Sequence, residues 1–145
     1  MEELVEQMKV VLASVFSLYL KSHYFHWNVE GPNFPQYHEF LGDLYEEIYG
    51  SIDTIAEEIR TLGAYAPGSL QRYSALTKIE DETSIPDPMR MMKVLYMDNR
   101  IVIEELKKAN DMAESVNAVG LANFLQDRVD KHYKHDWMLR SITKA

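Results

Sequence analysis

Four side chains in this sequence are placed to do metal chemistry: His26, His38, Asp53 and Glu57. Asp53 and Glu57 stand four residues apart, so on a helix both carboxylates leave the same face. Two oxygen donors, with imidazoles to complete the set, suit one or two hard-to-borderline cations such as ferrous iron. The chain has no cysteine, which removes disulfides and thiolate sites and leaves His and carboxylates as ligands. Taken alone, Asp53 and Glu57 also read as a solvated acidic face, since Glu46, Glu47 and Glu58 lie close by. Each histidine alone is more often structural than ligating. The constellation says more than any member.

The elements that must position these residues follow from periodicity. A first helix is expected from about Glu2 to Trp27, with Leu4, Met8, Val11, Leu12, Val15, Tyr19 and Leu20 at helical spacing. The cluster Gly31-Pro32-Asn33 ends it. A second runs from about Pro35 to Gly63 on Leu41, Leu44, Ile48, Ile52, Ile55, Ile59 and Leu62, with Gly63 as its C-terminal stop. A linker follows, with a short helix near Ser69 to Leu76 and an acidic loop closed by Pro86 and Pro88. Long helices are then expected over roughly Met89 to Ser115 and Asn117 to Ile142. No run alternates with period two for long enough to make a sheet. The reading is an all-α, four-helix bundle of the ferritin-like kind, one domain over residues 1–145, with a longer connection between its second and third long helices.

Helical geometry constrains the carboxylates further. At about 100° per residue, Asp53 lies roughly 130° and Glu57 roughly 170° from the Leu41–Ile48–Ile52–Ile59 core stripe. Both face out of their own bundle, so any remaining ligands should come from another chain. The apolar arc of the first helix also includes Val5, Phe16 and Leu20, wider than one core contact requires, and a helix-to-helix homodimer would cover it. His26 and His38, at the two ends of one short turn, can lie together at one end of the bundle. A di-iron site inside the bundle would need Glu-x-x-His pairs. No histidine here has a glutamate three residues before it.

Composition bounds the partners. With 15 basic and 23 acidic residues the net charge is -8, which opposes phosphate-backbone binding by the bulk surface and favours cations. The start Met1-Glu2-Glu3-Leu4 lacks the basic opening of a signal peptide, and Val10 to Leu20 is too short to span a bilayer. No membrane association and a cytoplasmic location are therefore expected.

Three motifs then carry a family resemblance. Lys21-Ser22-His23-Tyr24-Phe25-His26-Trp27-Asn28-Val29-Glu30-Gly31-Pro32-Asn33-Phe34, followed by His38-Glu39, resembles the signature of the Dps mini-ferritins. Asp53 to Gly63 and His132 to Arg140 do so as well, and the likeness runs over nearly the whole chain. The resemblance implies a hollow dodecamer with ferroxidase sites at two-fold interfaces. It implies that His26 and His38 of one chain face Asp53 and Glu57 of its partner. It further implies oxidation of Fe(II), preferably by hydrogen peroxide, and storage of ferric (Fe3+) mineral in the cavity. Trp27 stands beside the site in the family pattern, with two roles open: taking up stray oxidising equivalents, or packing.

The sequence departs from that pattern in places. Many members carry an acidic residue four positions after the second histidine, where this chain has Gly42; Asp43 is adjacent but points about 100° elsewhere. The second iron position is thus expected to be weak or water-filled. Asn123 stands where a pore aspartate is common, leaving as candidates Asp127, which reads equally as a surface carboxylate, and Asp130, for which the surface reading is favoured. Relatives that coat DNA carry a basic tail, whereas this chain starts with Glu2 and Glu3 and ends with only Arg140 and Lys144, so little or no DNA binding is expected. His132, His135 and Asp136 are expected to form a buried hydrogen-bonded cluster. His23 supports His26 or packs. Met89, Met91 and Met92 read as core filler, and Tyr37, Tyr45 and Tyr49 as interface packing. Two other functions compete: a DNA-binding or shell-forming protein whose metal site is degraded at Gly42, and a bundle-core di-iron oxidase.

Overall fold

The computed structural model describes residues 1–144, and all regular structure among them is helical. Helix α1 spans Glu2–Asn28, α2 Phe34–Thr61, α3 Leu70–Leu76, α4 Pro88–Ser115 and α5 Val119–Thr143. Four long helices form the bundle, and α3 rides in the long connection between α2 and α4. The ends fall within two residues of the periodicity reading because local chemistry sets them. Val29 turns extended after α1, and Gly31 supplies a φ of +118° that opens the turn into α2. Pro35 sits in the first turn of α2, where its missing N–H is not needed. Gly63, at φ +91°, closes α2 by donating its N–H to Arg60 O (2.9 Å) while Ala64 donates to Ile59 O (3.3 Å). That is the Schellman pattern, and Asn117 (φ 58°) repeats it at the end of α4. Ser69 caps α3 by accepting the Arg72 N–H at 3.2 Å. Asp87 caps α4 by accepting the Arg90 N–H at 2.9 Å, with Pro88 as its first residue.

α1 is the hub, packing on α2, α3 and α4, while α4 pairs with α5. Met8, Leu12 and Phe25 of α1 meet Leu41, Ile48 and Ile55 of α2 in a core completed by Met91, Met92, Leu95 and Leu125. Each such side chain stabilises the fold by about 1.5–3 kcal/mol on burial. Met91 and Met92 are thus the core filler expected of them. The long connection is tied down by polar contacts: Ser17 Oγ donates to Thr77 Oγ1 (2.8 Å), Tyr24 Oη to Ser84 O (2.6 Å), and Lys21 Nζ to Glu80 O (2.6 Å). Lys21 also pairs with Asp98 at 2.7 Å, both buried, and burial pushes the Asp98 carboxyl up despite that partner.

The outward apolar arc expected of α1 is narrower than its sequence implied. Val5 is buried within the chain, and Phe16 packs on Tyr73 of α3 with ring centroids 4.7 Å apart. A helix wheel for α1 alone has no means of showing what α3 covers. Leu20, Trp27 and Leu70 remain exposed beside a groove of about 720 Å³ between α1 and the long connection. Among the described residues, no helix is long and apolar enough to cross a membrane.

Candidate metal-binding half-sites

His26, near the end of α1, and His38, in the second turn of α2, are drawn together by reciprocal hydrogen bonds. His26 Nδ1 lies 2.7 Å from His38 O, and His38 Nδ1 lies 2.8 Å from His26 O. A carbonyl only accepts, so each Nδ1 must carry the proton. In the neutral ring this leaves both Nε2 atoms as bare acceptors, the tautomer that a metal ligand needs. The rings stack with centroids 3.8 Å apart and planes 14° apart, and Phe34 closes over His38 at 4.8 Å. Beneath them lies Gly42. A Cβ there would sit 3.1 Å from His26 Cε1 and 3.3 Å from Nδ1. The residue that departs from the acidic pattern is therefore also the floor on which His26 rests.

Asp53 and Glu57 are exposed on the outer face of α2, with no hydrogen bond or ion pair among the described residues. They do not meet the histidines of their own chain. Fifteen residues separate His38 from Asp53 along one helix, roughly 22 Å of rise. Among the described residues, no three His, Asp or Glu side chains of one chain converge on a common point. The two pairs are thus held as separate halves, one with free nitrogens and the other with free oxygens.

Aromatic rings surround the histidine half. His23 stacks on Tyr45 at 3.7 Å and 8°, lies 4.2 Å from Trp27, and shares a 3.0 Å hydrogen bond with Tyr19 Oη through Nδ1. Partial burial, then the neighbouring His26, pushes His23 down. Trp27 is 58% exposed, so its one close ring contact does not bury it. Tyr45 packs inside its own chain, Tyr37 lies half-buried against the core, and Tyr49 is exposed.

A second polar cluster occupies the seam where α2 and α5 meet. Arg128 forks onto Glu47 at 2.6 and 2.9 Å, and His135 Nε2 reaches the same carboxylate at 2.7 Å. Arg128 also donates to His132 Nε2 (3.0 Å), whose Nδ1–H donates to Asn99 Oδ1 (2.8 Å). The expected hydrogen-bonded role of His132 and His135 is what the contacts show; Asp136 instead faces Arg100 at 3.4 Å. Glu47 corrects the reading of it as solvated acidic surface, because it bridges two helices. Burial works against its charge, yet bonds from His135 and Arg128 hold its carboxyl well below the usual range. Burial, then Arg128 and His135, keeps His132 neutral. No spacing within α2 points to this bridge, since its partners lie some eighty residues away. Asn123 and the pore candidates Asp127 and Asp130 are exposed on α5.

Comparisons with known proteins bear on the family and the fold. A ferritin-like domain profile matches residues 5–145. The DNA protection during starvation protein of Brevibacillus brevis is 33% identical over 147 residues, covering 98% of this chain and 99% of the relative. The crystal structure of a Dps protein from Bacillus brevis superposes with a TM-score of 0.94 at 31% identity, over 99% of this chain and 96% of that one. Antigen TpF1 from Treponema pallidum superposes with a TM-score of 0.95 at 29% identity, over 99% and 93%.

Proposed function

The chain belongs to the Dps branch of the ferritin-like family, and from that premise we propose that it is a ferroxidase that stores iron in a homo-oligomeric shell. The observation that carries the reading is the division of ligands. His26 and His38 offer two Nε2 atoms fixed by their own backbone, and Asp53 and Glu57 offer unpaired carboxylates on an outward face. Two copies of α2 packed antiparallel about a two-fold axis place the halves together twice, because the same offset along the helix serves both sites. Iron is the substrate here. The imidazoles fix its position, the carboxylates neutralise its charge, and this oxygen–nitrogen set suits Fe(II).

The reaction is 2 Fe(II) + H₂O₂ → 2 Fe(III) + 2 OH⁻, after which the ferric ion hydrolyses and is held as mineral in a cavity enclosed by about twelve copies. Using both oxidising equivalents of the peroxide on iron suppresses hydroxyl radical, which is the protective value of the activity. Gly42 contributes no carboxylate to a second iron position, so one metal per half-site pair is held well and the other weakly. The net charge of -8 opposes DNA, and a cytoplasmic location fits the lack of cysteine.

Ferric absorbance after peroxide or oxygen is added to anaerobic Fe(II)-loaded protein tests the reading, beside a His38→Ala, Asp53→Ala double variant. Fast oxidation to a soluble ferric product, lost in the variant, is expected. Equal rates in both proteins and in buffer would leave a shell or scaffold without catalysis. Mixing the two single variants is the sharper form. If sites form between chains, mixed dimers regain one intact site, which intrachain sites never would.

A further inference from the structure

Three of the four candidate ligands ride on α2, so the roll and axial setting of that helix decide where they point. The carboxylates of Asp53 and Glu57 are exposed and have no partner among the described residues to hold their aim. Apolar burial against α1 keeps α2 in place but is non-directional. Directional ties are few. Among the described residues, side-chain hydrogen bonds join α2 to another helix at two points: the His26–His38 pair near its start, and Glu47. Glu47 is the tie nearer the carboxylates. It stands six residues before Asp53 and ten before Glu57, roughly 9 and 15 Å along the axis, and faces about 120° away from Asp53.

At Glu47, α2, which leans chiefly on α1, meets α5 along a short seam. Arg128 grips both Glu47 oxygens, at 2.6 and 2.9 Å, and a fork of this kind fixes direction as well as distance. Arg128 is buried and itself held. It donates to His132 Nε2 at 3.0 Å, while Asn99 of α4 clamps His132 through its Nδ1–H (2.8 Å) and its carbonyl (2.9 Å). His135 adds a third bond to Glu47, at 2.7 Å. The chain Asn99–His132–Arg128–Glu47 thus runs from α4 through α5 to α2. Stability alone does not explain it, because apolar side chains of similar volume replace a buried ion pair at little cost. What they do not supply is a fixed register.

We propose that Arg128 and Glu47 are positioning residues of the ferroxidase: their fork sets the roll of α2 and so aims Asp53 and Glu57 at the histidines of a second copy. The proposal rests on the ferroxidase reading above. The lever is short and sensitive. With a carboxylate roughly 5–6 Å from the helix axis, a roll of about 10° moves it by about 1 Å. A displacement of that size, arising far from the chemistry, costs up to about a hundredfold. Each site takes ligands from two α2 helices, so the errors of both copies enter.

Co(II) titration of the assembled protein, followed by calorimetry and by the visible band that reports ligand geometry, tests this in two variants. Arg128→Lys keeps the charge and gives up the fork. Glu47→Gln, Arg128→Met removes both charges together and leaves an amide oxygen for His135. Both variants are expected to assemble as wild type does, and the uncharged one to melt near the wild-type temperature, since no buried charge is stranded. Both should bind Co(II) about tenfold to a hundredfold more weakly, with an altered visible band, and oxidise Fe(II) correspondingly more slowly. A merely structural role predicts the reverse: a lower melting temperature with Co(II) affinity and band unchanged. That result in either variant overturns the proposal and leaves the ferroxidase standing. Arg128→Lys, with the charge pair kept, carries the test if the uncharged variant does not assemble. Wild type that binds Co(II) no better than the His38→Ala, Asp53→Ala variant overturns both readings.

Discussion

At position 42, the absence of a side chain decides where the His26 ring can lie. A Cβ 3.1 Å from Cε1 is closer than carbon atoms settle without movement, and the ring has little freedom to yield because His38 O holds its Nδ1 at 2.7 Å. Gly42→Ala is therefore expected to tilt His26 and weaken metal binding by about tenfold, the scale of losing a partner that orients a ligand. Titration calorimetry with Co(II), which does not turn over, measures this. An unchanged affinity would show that His26 either yields freely or does not ligate. The same crowding accounts for how an acidic residue at 42 and the present His26 pose exclude each other without adjustment.

Helix ends and the long connection set the register of these side chains. Gly63→Ala places a Cβ at φ +91°, which costs about 1 kcal/mol. At this chain length that should lower Tm by about 2–8 °C in scanning calorimetry. Lys21 acts between elements, joining α1, the Glu80 carbonyl and Asp98 of α4. Lys21→Met keeps most of the stem volume but leaves Asp98 buried without its partner, a loss of about 3 kcal/mol. Lys21→Met, Asp98→Leu should recover most of it, since an apolar pair replaces a buried ion pair at little cost. A double variant no more stable than Lys21→Met would show that Asp98 was not the reason.

For the molecule as a whole, the polar seam between α2 and α5 makes stability depend on pH. His132 is held neutral in the fold, so its folded pKa lies below the unfolded 6.5. As pH falls below 6.5 the unfolded chain takes up a proton that the folded one refuses, and stability drops by up to about 1.4 kcal/mol per pH unit. Glu47 acts in a lower window. Its folded value is depressed, so its stabilisation is complete above 4.5 and is lost as pH falls from there toward the folded value. Around His132 stand Arg128, His135, Glu47 and Asn99, of which the first two repel an added proton and Glu47 attracts it. Calorimetry between pH 7 and 5 should show a falling Tm in wild type and a flatter slope in His132→Asn, whatever that variant's absolute stability. Parallel slopes would place the acid sensitivity elsewhere.

The sequence by itself determined the elements, their ends and the outward aim of Asp53 and Glu57, because helical period, capping chemistry and a wheel angle are local properties. It also set His38 and Asp53 roughly 22 Å apart along one helix, which is why the proposed site draws its ligands from two chains. Only the tertiary structure decided which protons the histidines carry, for the carbonyl that fixes each Nδ1 belongs to the other helix. It alone took Glu47 out of the acidic surface, covered Phe16 with Tyr73, and set Tyr19 against His23 with Tyr45 stacked behind. Those contacts join residues far apart in the chain or fix the rotamer of a ring. Spacing carries no information about either until the helices are packed.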